Sequence, residues 1–226
     1  SKRDVEDGAV IVLDNATGDV LAWVGGSGEL SDSPQVDAVV ARRQPGSTLK
    51  PFVYGLAFER RVLTPASLLH DAPVQLPTGA GLYIPQNYDR RFKGWVSVRT
   101  ALGNSLNVPA VRAGAMLGPD AVAQQLNQLG LALQEPGSYY GPGLALGSAE
   151  VTLRDLTNAY RALANGGRWS PPRLSLHAPR VPPRQALSPA AAYLITDILA
   201  DNTARALTFG LDSALSTRGF AAFHAG

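Results

Sequence analysis

Two apolar runs separated by turn chemistry open the chain and constrain what it can fold into. Ala9-Val10-Ile11-Val12-Leu13 is followed by Asp14-Asn15-Ala16-Thr17-Gly18-Asp19 and then by Val20-Leu21-Ala22-Trp23-Val24. Asp, Asn and Gly accept the backbone angles of a tight reversal, so residues 9–25 are predicted to form a β-hairpin. The runs are nearly continuous rather than alternating, and both faces of the hairpin are therefore expected to be covered. Two strands make a weak sheet by themselves. The next short apolar run of this kind that could complete the sheet is Phe220–Phe223, at the far end of the chain. The pattern predicts an α/β protein of the α+β type, with an antiparallel sheet begun by the hairpin, interrupted by a long insertion and resumed near residue 220. The chain stops in that third strand, so the domain is expected to be incomplete at its C-terminus.

The insertion reads as mainly helical. A helix is expected to begin at Ser47, after the Gln44-Pro45-Gly46 break, and to carry Phe52, Tyr54, Leu56 and Phe58. Ser97 can cap a helix reaching Gly103; Pro109 suits the first turn of the next, which ends near Gly118; Pro119-Asp120 opens another ending at Gly130. Thr152 to Asn165 is the clearest helix. Leu153, Leu156, Tyr160 and Leu163 form its apolar stripe, Thr152 and Asp155 resemble a capping box, and Gly166-Gly167 stops it. Ser188-Pro189 opens a last helix carrying Tyr193, Leu194 and Ile198. Residues 63–94 show little periodicity and read as one long irregular segment, a kind that usually carries function. The resulting organisation is one domain over 1–226: hairpin and lead-in over 1–40, a mainly helical part over 41–205, and the approach to the third strand over 206–226.

Composition removes several classes of function. Hydrophobic residues make up 45% and charged residues 17% of the chain, which excludes a disordered or coiled-coil protein. There are 17 arginines against 3 lysines, but the net charge is only +2 and no basic run exceeds two residues, so no nucleic-acid partner is expected. No stretch approaches the roughly 20 apolar residues of a membrane span. Ser1-Lys2-Arg3-Asp4 leads into strand-like sequence, and no signal peptide is expected. Cysteine is absent, which removes disulfides, thiolate metal sites and a cysteine nucleophile together. His70, His177 and His224 are far apart and none has metal-ligand spacing, so each reads as an ordinary histidine; no metal or cofactor is expected.

Two short segments could carry chemistry. In Ser47-Thr48-Leu49-Lys50 the amine stands one helical turn from the hydroxyl, close enough to take its proton. The free N–H groups of a helix start lie beside Ser47, and Pro51 fits only near such a start. Lys50 would have to be neutral, through burial or a nearby positive charge. Taken alone, this spacing is better read as an N-capping serine with a solvated lysine. In Ser105-Leu106-Asn107 a hydroxyl and an amide two residues apart could relay a proton and hold a substrate peptide group. Taken alone, that segment is better read as helix capping by Asn104 or Ser105.

The two together, with their flanks, resemble the active-site set of penicillin-binding proteins and serine β-lactamases. Arg43 to Phe52 (RQPGSTLKPF) is similar to the nucleophile segment of bifunctional, class A penicillin-binding proteins. Asn87-Tyr88-Asp89, Val98 to Leu102 and Ser105 to Val111 resemble the second motif region of that family. Leu144 to Thr152 and Asn158-Ala159-Tyr160 resemble its following helix. Gln35-Val36-Asp37 and residues 82–89 look most like the 1C group of the family. The resemblance covers nearly the whole chain.

It implies a penicillin-recognising serine transpeptidase fold and the cross-linking of peptidoglycan stem peptides, donor and acceptor, at the periplasmic face of the bacterial inner membrane. Ser47 would be the nucleophile, Lys50 its base, Ser105 a proton relay and Asn107 a substrate-binding residue, with β-lactams as inhibitors and other cell-wall synthesis proteins as partners. The third motif of the family, Lys-Thr-Gly, would fall on His224-Ala225-Gly226, which makes His224 and Gly226 substrate-binding positions. Because His224 replaces a lysine, Lys50 is expected to be protonated more often and acylation to be slower. One oxyanion-hole donor would be the Ser47 N–H. The alternatives are a non-catalytic penicillin-binding sensor or scaffold, and a β-lactamase-like hydrolase, for which no deacylating glutamate has a suitable spacing.

Overall fold

The computed structural model of the protein describes residues 7–79, 81–175 and 177–210. Its elements, in chain order, are β1 (Val10–Leu13), β2 (Val20–Val24), α1 (Lys50–Glu59), β3 (Leu68–Asp71), β4 (Leu76–Thr78), β5 (Gly81–Tyr83), β6 (Gly94–Ser97), α2 (Val98–Gly103), α3 (Asn107–Leu117) and α4 (Pro119–Gln128). They continue with α5 (Gly137–Tyr140), α6 (Leu153–Ala164), β7 (Arg168–Trp169), β8 (Arg184–Gln185), α7 (Pro189–Ala200) and α8 (Ala206–Phe209). The strands pair antiparallel, two by two: β1 with β2, β3 with β6, β4 with β5 and β7 with β8.

The helix α1 is the centre of the molecule. It is buried from Lys50 through Phe58, as expected of a helix apolar on all sides, and α2, α3, α4 and α7 pack around it. Its side chains Phe52, Val53, Tyr54 and Leu56 join Leu102, Leu126, Leu187 and Ile195 in one continuous core. The helix caps fall where the sequence puts them. Ser97, Thr152 and Ser188 each accept a hydrogen bond from a backbone N–H three residues on, at the starts of α2, α6 and α7. Arg99 on α2 forms ion pairs with Asp197 and Asp201 at the end of α7.

The structure departs from the sequence reading at five places. The hairpin forms in the predicted register region, Val10 opposite Val24 and Ile11 opposite Trp23, but only Ile11 of its two strands is buried and Val10, Val12, Leu21 and Val24 are exposed. Helix α6 packs against β1, so among the described residues one face is covered rather than both. Residues 63–94 are not one irregular loop: they fold into two short strand pairs, too short and too Pro/Gly-broken for a period to register. The turn at Ser47 is 3-10, with α1 starting only at Lys50. The inward face of α6 is Asn158, Ala159, Arg161, Ala162 and Leu163, because Arg161 turns inward to hold the hairpin turn, donating from Nε to the Asn15 carbonyl at 3.1 Å. Ala206–Phe209, expected on the approach to a strand, is a helical turn. The run 220–223 lies outside the described residues.

Candidate active site

Ser47 lies in the 3-10 turn Gly46–Leu49 that leads into α1. That turn is gripped from three sides. Gly147, at φ +79°, lies so close that a Cβ on it would stand 2.1 Å from the Gly46 carbonyl oxygen, so only glycine fits. Tyr160 on α6 donates its hydroxyl to the Thr48 carbonyl at 2.8 Å, and its ring meets Phe52 edge-on. Arg43 and Val151 exchange backbone hydrogen bonds at 2.9 and 3.0 Å just upstream. Holding the backbone on both sides of a residue fixes where its side chain can point, which a nucleophile requires.

Lys50 begins α1 and is fully buried, with 0% of its surface exposed. Burial without a carboxylate partner disfavours the ammonium, and the amine is pushed down to about 7 from 10.5. Its Nζ donates to the Ser105 carbonyl at 2.5 Å and to Asn107 Oδ1 at 2.7 Å, and lies 3.1 Å from the Ser105 hydroxyl. A neutral amine has two protons to donate and one lone pair. The two carbonyl-type oxygens take the protons, and the lone pair is left for a hydroxyl. Burial is what favours the neutral form, the one able to act as a base.

Ser105 owes its position to the way α2 ends. The Leu106 N–H bonds the Ala101 carbonyl and the Ser105 N–H bonds the Leu102 carbonyl, at 2.9 and 3.0 Å. This pair is a Schellman motif, whose left-handed position glycine usually occupies. Here Ser105 occupies it, at φ +55°. The left-handed conformation costs a non-glycine residue about 1–2 kcal/mol. From this position the Ser105 carbonyl and hydroxyl both meet Lys50.

Asn107, the first residue of α3, bonds Lys50 through Oδ1 and donates from Nδ2 to the Gln86 carbonyl at 2.7 Å. Its backbone N–H donates to Asn87 Oδ1 at 2.9 Å. Asn87 is buried, and its Nδ2 donates to both carboxylate oxygens of the fully buried Asp71, at 2.9 and 2.8 Å, and to the Arg91 carbonyl. The backbone N–H of Lys93 gives Asp71 a further donor at 2.9 Å. A buried carboxylate thus orients Asn87, and Asn87 in turn satisfies the free N-terminus of α3.

Ser47, Ser105, Asn107 and Asn87 line one cleft of about 580 Å³, with Leu207 and Phe209 of α8 also in its wall. Tyr88 stands at its edge with its whole ring exposed. The structure thus brings together four of the six residues singled out in the sequence, Ser47, Lys50, Ser105 and Asn107. His224 and Gly226 lie outside the described residues, and with them the expected effect of His224 on Lys50. A larger cavity, lined by Arg161, Arg168 and the proline-rich residues 171–175 and 178–183, is lined by none of these residues. Sequence reasoning missed the supporting role of Asp71, which gave no signal, being one carboxylate in a broken segment; Asn104, read as a helix-capping residue, is the C-cap of α2.

The chain matches the family model for the penicillin-binding protein transpeptidase domain over residues 8–213. It is 41% identical to penicillin-binding protein 1C of Escherichia coli over 197 residues, 85% of this chain and 25% of that protein. It is 37% identical to penicillin-binding protein 1A of Rickettsia felis over 164 residues, 72% of this chain and 20% of that protein. The chain thus spans a quarter or less of the length of these relatives. Among solved structures, penicillin-binding protein 1A from Haemophilus influenzae superimposes with a TM-score of 0.73 at 25% identity, over 95% of this chain and 36% of that one. With Ser47, Ser105 and Asn107 lining one cleft, Lys50 buried against Ser105 and Asn107, and a family match over nearly all its length, the chain belongs to the penicillin-binding protein transpeptidase domain family.

Proposed function

We propose that this chain forms peptidoglycan cross-links as a serine acyltransferase, and that Ser47 carries the acyl group. Ser47 Oγ attacks the carbonyl carbon of the D-alanyl-D-alanine amide of a donor stem peptide, and its proton passes to the neutral Lys50 amine. The Ser47 N–H helps to stabilise the oxyanion; losing one such donor costs roughly 3 kcal/mol in comparable sites. The C–N bond then breaks, Ser105 relays a proton to the departing amine, and terminal D-alanine leaves. An amine of an acceptor stem attacks the Ser47 ester, forms the new amide and returns the proton to Ser47. Asn107 has its amide committed to Lys50 and Gln86, so in this reading it presents the edge of a pre-set amide to the substrate and holds the base in place.

The observation that carries this reading is Lys50: a buried amine, depressed to about 7 and tied to Ser105 and Asn107, directly after the turn that holds Ser47. β-Lactams react by the same attack and stay attached. The working location is the periplasmic face of the bacterial inner membrane, where the stem peptides and other cell-wall synthesis proteins are. No helix among the described residues is long and apolar enough to cross a membrane. Intact-mass analysis with penicillin tests the proposal: the wild type gains one penicillin mass and Ser47→Ala gains none. A stable adduct without D-alanine release from a donor peptide would favour a penicillin-binding sensor instead.

A further inference from the structure

The turn α8 has an unusual means of support. Leu207 is exposed and Phe209 half-buried, so neither is core, yet both face the cleft that Ser47 lines. What holds them is one buried amide. Asn104 donates from Nδ2 to the Ala204 carbonyl at 2.6 Å and accepts at Oδ1 from the Thr208 N–H at 2.8 Å. Its backbone carbonyl accepts from the Thr208 hydroxyl at 3.1 Å. Its neighbour Gly103 is in contact with Ala204 so closely that a Cβ there would stand 2.8 Å from the Ala204 carbonyl. On the other side the buried Arg205 donates to the Leu199 carbonyl at 2.7 Å.

We infer that Leu207 and Phe209 form an apolar subsite for the side chain of the acyl donor, and that Asn104 is the positioning residue that sets this wall against the Ser105 turn. Apolar side chains exposed to water at a cleft are disfavoured there, and an apolar ligand group that covers them on binding removes that cost. The arrangement links the wall rigidly to the reacting groups: Asn104 is the C-cap of α2 and Ser105 the next residue, so one backbone link sets both. The ligand class is an acyl donor with an aliphatic or aromatic group beside the reacting carbonyl, such as the aliphatic stem of the residue preceding the D-alanyl pair, or the aryl group of a penicillin side chain. This inference rests on Ser47 being the acylated residue.

The test compares acylation rates of the full chain by benzylpenicillin and by the same penicillin nucleus with a free amine in place of the aryl side chain. Leu207→Ala/Phe209→Ala removes apolar groups that support no core, and is expected to fold. It should lower the preference for benzylpenicillin by about tenfold, the scale of lost apolar pocket contact, while the rate with the bare nucleus changes less than about threefold. Asn104→Ala should show the same loss of preference with the wall residues intact, which merely removing buried contacts elsewhere would not. An unchanged preference in the double variant, with Ser47 still labelled, overturns the subsite and leaves the acyl-enzyme standing. Failure of the wild type to be labelled at Ser47 by either compound overturns both.

Discussion

Lys50 meets Ser105 twice, its Nζ lying 2.5 Å from the carbonyl oxygen and 3.1 Å from the hydroxyl of that one residue. Ser105 makes both contacts from a backbone with positive φ. The αL strain and the hydroxyl that meets Lys50 thus belong to one residue, and mutation can separate them.

Ser105→Gly keeps the Schellman turn and relieves the strain, but deletes the hydroxyl. Stability should hold or rise by up to about 1 kcal/mol, because glycine is at ease at this φ. Acylation by penicillin should fall about 10²–10⁴-fold, the usual loss when a proton-transfer group is removed. Thermal denaturation beside stopped-flow acylation reads both. A variant as fast as wild type would remove Ser105 from the proton path.

Lys50 must be neutral to take the Ser47 proton, and it is pushed down to about 7. The acylation rate should therefore rise about tenfold per pH unit below that value and level off above it. A rate that stays flat between pH 5 and 9 would rule out Lys50 as the base.

The same depressed value makes a claim about stability. The amine titrates near 10.5 in the unfolded chain and near 7 in the folded one. Between those values the unfolded chain binds the proton and the folded one does not, so folding becomes more favourable as pH rises through that window, and below 7 the full penalty applies. At one pK unit per 1.36 kcal/mol the penalty is on the order of 4–5 kcal/mol. Lys50→Met, which fills the space without a charge, should be more stable than wild type at pH 6, with the difference shrinking towards pH 10. Urea denaturation at the two pH values measures it, and a pH-independent difference would show that the buried amine carries no such penalty.

Gly147 and the Gly46–Leu49 turn that carries Ser47 are in direct backbone contact. Gly147→Ala would place a methyl 2.1 Å from the Gly46 carbonyl, at a φ that alanine avoids. The turn must shift or the protein must strain, so a loss of at least about 2–3 kcal/mol is expected. Ser47 acylation should slow along with it. Tyr160→Phe is the milder partner, losing only the 2.8 Å bond to the Thr48 carbonyl, worth about 1 kcal/mol.

Much of this arrangement could be read from the residues alone. Local signals gave the helix starts, because capping is decided within four residues: Ser97, Thr152 and Ser188 all cap as the pattern implies. Ser47, Lys50, Ser105 and Asn107 were legible because their flanks resemble a known family. What the sequence hid is non-local. The inward turn of Arg161 depends on the Asn15 carbonyl, 146 positions away along the chain, and no helical period encodes that. The pairing of β3 with β6 joins residues 68–71 to 94–97 across a broken segment. Asp71 became meaningful only when that pairing placed it against Asn87.

Asn87 is where this hidden layer meets the chemistry. Its amide joins a buried carboxylate, Asp71, to the backbone N–H of Asn107, whose side chain holds the Lys50 amine. Asn87→Ala removes both ends of the link at once. Asp71 would keep a backbone donor from Lys93 but lose its two side-chain contacts, and a buried charge left short of donors costs more than the 1–3 kcal/mol typical of a neutral group. A stability loss of about 3 kcal/mol or more is expected. Asp71→Asn in the same background should recover part of it, since the uncompensated charge is gone, while acylation stays slow because the Asn107 N–H remains without its partner. Denaturation and penicillin acylation of the single and double variants separate the two effects. If the double variant regained the acylation rate together with the stability, Asn87 would be a partner of Asp71 alone and not a positioning residue for Asn107.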